Sequence, residues 1–177
     1  MKICTWASDY YEYPIGQVLF GALPSQIKQG MAVSNIKIFK SEYKELSKNE
    51  LKINLNHEQK MIFRDISKNI DTFSTSLIHG VTGSGKTEIY IECIKEVIAR
   101  GHQVLVIIPE IGLTPQTKHR FEAALGCEVP LIHSGLTEAE RGRTWAMARS
   151  GAARVVLGTR SSVFCSFRTL GLIVVDE

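Results

Sequence analysis

From about residue 55 onward, apolar and polar positions alternate between two rhythms. In NHEQKMIFRDISKNI, Ile62, Ile66 and Ile70 recur four apart, which predicts a helix with Asn56 as its N-cap. TSLIH (75–79) reads as a short strand. KTEIYIECIKEVIAR (86–100) reads as a helix closed by Gly101 just past its end. QVLVII (103–108) is an unbroken apolar run, the pattern of a buried strand. Thr114 and Pro115 supply an N-cap and a first helical proline for a helix through about Leu125. EVPLIH (128–133) is a weaker strand, interrupted by Pro130. Thr137 and Glu140 form a capping box that opens a helix toward Arg149. ARVVLGT (153–159) and GLIVVDE (171–177) are strands. Strands alternating with helices of this length predict right-handed crossovers and a parallel sheet, an α/β fold. Such sheets place their sites at the carboxyl ends of the strands.

The first part of the chain has a different texture. Residues 1–30 are rich in aromatics, with Trp6, Tyr10, Tyr11, Tyr13 and Phe20. Burial is the default for such rings, so the tyrosines are expected in a core and not on a base-stacking surface. Residues 31–54 include KIFKSEYKELSKNELK, which reads as a linker or a short exposed helix. No internal repeat or low-complexity tract occurs.

Composition narrows the class only a little. Hydrophobic residues make up 44% of the 177, enough for a packed core. The net charge of +3 suits nucleic acid but is too small to argue for it alone. The four cysteines, Cys4, Cys93, Cys127 and Cys165, form no C-x-x-C pair, so neither a zinc knuckle nor a disulfide framework is indicated. Free thiols, a start without the apolar core of a signal peptide and the lack of a membrane-length apolar run predict a soluble cytoplasmic protein with no membrane partner.

Candidate chemistry begins at GVTGSGKT, residues 80–87, which satisfies G-x-x-x-x-G-K-[ST]. Between a predicted strand and a helix, the loop Gly80, Val81, Thr82, Gly83, Ser84 and Gly85 would curl its backbone N–H groups around a triphosphate. The helix N-terminus adds partial positive charge beneath the phosphates. Lys86 can reach the β- and γ-phosphates of ATP, and Thr87 can ligate Mg²⁺. A second carboxylate and a group that polarises water complete such a site. LIVVDE supplies Asp176 for the magnesium shell and Glu177 for the water. A polar strand end facing solvent is the competing reading for these acids.

Four segments lie around these motifs: LNHEQ (55–59), PEIGLTPQT (109–117), LIHSGLTEAER (131–141) and GTRSSVF (158–164). Their hydroxyl, amide and basic groups suit sequence-independent contact with a sugar–phosphate backbone. With GVTGSGKTE and LIVVDE, in this order, they resemble the first motor lobe of superfamily 2 nucleic-acid helicases. More narrowly, they resemble the primosomal replication-restart helicases. WASDYYEYPIGQVLFGALP is similar to the end of that family's amino-terminal DNA-binding domain.

The resemblance implies a RecA-like P-loop lobe over residues 55–177, a linker over 31–54 and a remnant of a DNA-binding domain over 1–30. It implies an ATP- and Mg²⁺-dependent 3′→5′ DNA helicase with forked or single-stranded DNA and primosome proteins as partners. Gln59 would read the adenine, Thr114, Gln116, Arg160 and Ser161 would face DNA, and Asp176 and Glu177 would open a D-E-x-H box.

Each of these roles has a plainer competitor. Gln59 is also the third residue after Asn56, the return member of a capping box. Thr114 also caps its helix, Arg160 can pair with a carboxylate, and His133 can be a simple strand-end residue.

The sequence also departs from the family pattern. Residues 31–54 are too few for the family's winged-helix domain, and Ser166 stands where the family tends to carry proline. The box histidine, the second lobe with its arginine finger and the zinc-binding cysteine cluster are not within the 177 residues. A single lobe is expected to bind nucleotide weakly and not to unwind DNA. A DNA- or partner-binding module with a vestigial P-loop is the alternative. A nucleotide kinase is disfavoured by PEIGLTPQT and GTRSSVF.

Overall fold

The computed structural model describes residues 2–36, 38, 54–81, 83–112 and 114–176. Most of the predicted linker, together with Thr82 and Glu177, lies outside the described residues. In chain order the elements are α1 (Lys2–Tyr10), α2 (Ile15–Ala22), α3 (Ser25–Lys28), α4 (His57–Lys68), α5 (Lys86–Ala99), β1 (Gln103–Ile107), α6 (Pro115–Leu125), β2 (Leu131–Ile132), α7 (Glu138–Ser150), β3 (Val155–Gly158) and β4 (Leu170–Val175).

The described strands form one parallel sheet in the order β2-β3-β1-β4. β1 lies in the interior of the sheet and every residue of it is buried, as its unbroken apolar run predicts. Val104, Val106, Val155 and Leu157 pack on one face against Ile91, Ile94 and Val97 of α5 and Phe121 and Leu125 of α6. Leu105, Ile107 and Val156 pack on the other face against Met147 and Ala148 of α7. Alternate strand residues thus feed two cores, giving three layers. α4 lies on α5, with Ile62, Phe63 and Ile66 against Ile89 and Cys93.

Helix boundaries follow their local signals. Asn56 and Thr137 each complete a capping box, and Thr114 accepts a hydrogen bond from Thr117 N–H. Gly101 follows α5 at φ 84°, the left-handed conformation its place past the helix end requires. No helix among the described residues is long and apolar enough to cross a membrane.

Two expectations are corrected. Residues 75–79 form no strand; they run unpaired, with only Ile78 packed on the core beside Leu172. Leu77 and Ile78 point opposite ways, so a strand there needs cover on both faces. Only the α4–α5 side supplies it: Leu77 is 93% exposed, and Ile173 and Val175 on β4 are exposed too. The amino-terminal aromatics are not core either. Trp6 stacks on Tyr10 with centroids 5.0 Å apart, Tyr11 meets both rings edge-on, and all three are more than half exposed. Tyr13 and Phe20 are exposed as well. α1 to α3 are too short to enclose rings of this size, and these helices meet the lobe mainly where α3 contacts α7. That contact is close: a Cβ on Gly142 would fall 1.7 Å from Gln26 Oε1.

Ser166 gains a role that proline cannot fill, since its Oγ accepts a hydrogen bond from Arg149 at 2.9 Å.

The buried thiols set an alkaline limit on stability. Burial pushes Cys93 and Cys127 from 9.0 up to about 11 and Cys165 up to about 12. The unfolded chain therefore loses these protons first as pH rises, and the folded form is progressively disfavoured from about pH 9 upward. A urea midpoint lower at about pH 10.5 than at about pH 8 is expected, and an equal midpoint at both contradicts it.

Candidate nucleotide site and the carboxyl edge of the sheet

α5 begins differently from the other long helices of the lobe. α4, α6 and α7 are capped by the side chains of Asn56, Thr114 and Thr137, whereas the N-cap of α5 is Gly85, with no side-chain cap. The first-turn N–H groups of α5 thus point into the loop without an internal side-chain acceptor, the arrangement that receives an anion. Gly85 sits at φ 82° and Gly83 at φ 80°. A Cβ on Gly85 would lie 2.3 Å from Gln59 Nε2, so glycine is required there by both conformation and space. Around Gly83 there is open space within 4 Å, which leaves room for backbone approach to phosphate oxygens.

Lys86 Nζ lies within the loop and donates to the carbonyls of Gly80 at 2.8 Å and Val81 at 3.1 Å. The loop is closed further by Ser84 N–H on Val81 O and by Ser84 Oγ, which leaves no room for a Cβ on Gly80. Thr87 follows on the first turn of α5, and Glu88 beside it contacts the Arg120 guanidinium of α6.

Gln59 makes the capping-box bond and, at its other amide atom, a tie to the phosphate loop that the sequence does not announce. Its Oε1 accepts from Asn56 N–H at 2.8 Å, completing the capping box. Its Nε2 donates to the carbonyls of Ser84 at 3.2 Å and Gly85 at 3.4 Å, tying α4 to the phosphate loop. Gln59→Ala removes both ties and is expected to cost about 1 kcal/mol of stability. If Gln59 also reads adenine, the same variant loses discrimination between ATP and GTP analogues; a titration with both nucleotides checks this.

Asp176 lies just past β4, and its N–H donates to Ile107 O at 2.9 Å, which extends the ladder onto β1. Its Oδ1 accepts from the Tyr90 hydroxyl of α5 at 3.3 Å. Burial, then the Asp176 charge, push Tyr90 up to about 12, so the phenol stays protonated as a donor. The strand order and this bond bring a carboxylate to the helix that the phosphate loop opens. Tyr90 was absent from the sequence-derived candidates; its place three residues after Thr87, on the same helical face, was the available signal.

The other candidates gather at the carboxyl edge of the sheet. Glu110–Gly112 follows β1, residues 133–136 follow β2, and Arg160–Phe164 follows β3, the first and last as 3₁₀ turns. Thr114 caps α6, while Gln116 in its first turn is exposed. Arg160 and Ser161 are exposed at the start of the last turn. Ser162 is buried and donates to Thr159 O at 2.6 Å; a Cβ on Gly158 would collide with it at 2.3 Å. The Ser134 hydroxyl donates to Glu110, linking two of these loops. His133 Nδ1 accepts from Gly135 N–H at 3.1 Å, a local turn contact.

A parallel sheet with helices packed on its two faces, and a glycine-rich phosphate loop opening the helix that runs back from its carboxyl edge, is the lobe of a RecA-like P-loop motor. Residues 52–177 match the family described as "Type III restriction enzyme, res subunit", and the chain belongs to it. Within curated proteins, it is 46% identical over 128 residues to the replication restart protein PriA of Haemophilus influenzae, covering 72% of this chain and 17% of that protein. It is 42% identical over 125 residues to PriA of Bacillus subtilis, covering 70% and 16%. With PriA of Rickettsia conorii the similarity runs through all 177 residues at 35% identity and covers 26% of the relative. The chain thus spans about a quarter or less of the length of these relatives.

Proposed function

We propose that this chain carries the ATP-binding lobe of a PriA-like, ATP-dependent 3′→5′ DNA helicase that serves replication restart and primosome assembly. The observation that carries the reading is α5, which opens from GVTGSGKT with an uncapped glycine N-terminus and holds Asp176 on its flank. The domain division supports it as well: the family model begins at residue 52, while similarity to the Rickettsia relative extends through residues 1–30. The first thirty residues would then be the tail of a DNA-binding domain, and 31–54 the linker to the lobe at 55–177.

The loop residues fit a magnesium-bound triphosphate. Glycine at 83 and 85 leaves backbone N–H groups accessible, the α5 N-terminus favours negative charge, and Lys86 places an ammonium among them. Thr87 and Asp176 are oxygen donors of the hard type magnesium prefers and would hold Mg²⁺, which would neutralise phosphate charge. Lys86 would stabilise charge that develops on the transferred phosphoryl group. Glu177, outside the described residues, would orient the attacking water. Thr114, Gln116, Arg160 and Ser161 would hold the DNA backbone at the adjoining edge, through contacts that position the strand without reading its sequence.

Fluorescence anisotropy of labelled forked and single-stranded DNA tests this reading. Binding that weakens with salt, and weakens alike for unrelated sequences in Arg160→Ala and Gln116→Ala, is expected. Lack of salt-dependent DNA binding in the wild type contradicts it. DNA binding without any binding of a magnesium–ATP analogue would favour a non-catalytic module with a vestigial loop.

A further inference from the structure

We propose that Tyr90 is a positioning residue that fixes the Asp176 carboxylate for the magnesium–nucleotide complex, an inference that rests on the reading of the loop as an ATP site. Asp176 is the first residue beyond β4, where the strand no longer constrains a side chain. Its backbone is held by Ile107, and among the described residues its side chain is bonded by Tyr90 at 3.3 Å.

Tyr90 is suited to be a fixed post. Its ring is buried in the main core together with Ile94, Val106, Ile108 and Val174. A packed aromatic ring has two side-chain torsions, both restricted here, so its hydroxyl is delivered to one point. Tyr90 also lies three residues after Thr87 on α5, hence on the same face one turn further on. The bond therefore draws Asp176 to the side of the helix whose first turn bears the other proposed magnesium donor. Oδ1 of Asp176 accepts from Tyr90, and a carboxylate has a second oxygen that could serve the magnesium complex. Outer hydrogen-bond partners of this kind orient metal ligands and carry part of their affinity.

Tyr90→Phe removes one hydroxyl and keeps the ring, so the core is preserved. The readout is the magnesium concentration that half-saturates binding of a fluorescent ATP analogue, measured at fixed nucleotide in wild type, Tyr90→Phe, Asp176→Asn and the double variant. In Tyr90→Phe the magnesium midpoint should rise about tenfold, the low end for such partners, while binding without magnesium stays unchanged. In the Asp176→Asn background Tyr90→Phe should add nothing, because the carboxylate it positions is gone. A role confined to packing would shift the urea midpoint and leave the magnesium midpoint alone. An unchanged magnesium midpoint in Tyr90→Phe, or an equal shift in the Asp176→Asn background, overturns the positioning role while leaving the nucleotide site standing. Absence of magnesium-dependent nucleotide binding in the wild type overturns both.

Discussion

Lys86→Ala should weaken binding of a magnesium–ATP analogue by roughly 10- to 100-fold, the range set by losing charge-assisted hydrogen bonds to phosphate. The lysine is already inside the loop, 2.8 Å from Gly80 O and 3.1 Å from Val81 O. Those carbonyls are exposed enough to exchange the ammonium for water, so the loss falls on the ligand more than on the fold. Helical signal and urea midpoint should stay close to wild type, which separates a binding defect from unfolding. Fluorescence titration of the analogue against both proteins decides it: equal affinity would mean that the loop does not grip phosphate through Lys86.

Gln103→Leu should produce the largest loss of stability among substitutions away from the nucleotide site, about 4 kcal/mol. Gln103 is fully buried at the start of β1 and uses its whole amide. Nε2 donates to Ala148 O at 2.9 Å and Ala153 O at 2.6 Å, and Oε1 accepts from Arg168 N–H at 2.9 Å and Thr169 N–H at 3.0 Å. One side chain thereby joins the end of α7, the turn before β3 and the entry to β4. Leucine has similar volume, so packing changes little, but backbone groups of all three segments lose their partner, those of Ala148 and Ala153 where they are buried. Urea denaturation with a fall below about 1 kcal/mol would show that these groups find other partners.

The parts of the fold legible from sequence were those written in local chemistry. Asn56, Thr114 and Thr137 announce helix starts because a cap bonds within three residues of itself. The phosphate loop is legible for the same reason, since Gly83 and Gly85 answer to the backbone conformation at their own positions. Residues 75–79 carry strand-forming side chains, yet a strand also needs a neighbour and cover on both faces, which no local pattern reports. The exposure of Trp6, Tyr10 and Tyr11 is likewise a matter of what surrounds α1, not of the rings themselves. Gln103 reads as the polar border of an apolar run; its four bonds reach residues 45 to 66 positions away. The Tyr90–Asp176 contact spans 86 positions and exists only because α5 packs beside β4.

Asp176 was legible as a carboxylate at a strand end, but its approach to α5 was not. The same holds for Gln59, whose capping-box bond is local and legible while its tie to Ser84, 25 positions away, is not. Three loops of different sequence come to one edge because parallel strands all end there, so the topology supplies a gathering that spacing along the chain conceals.

Isothermal titration of the wild-type chain with a non-hydrolysable ATP analogue, with and without magnesium, tests the central claim most directly. One saturating site that tightens when magnesium is added, and that weakens in Lys86→Ala, is the expected result. A flat titration, or binding indifferent to both magnesium and Lys86, would contradict a nucleotide site at the head of α5.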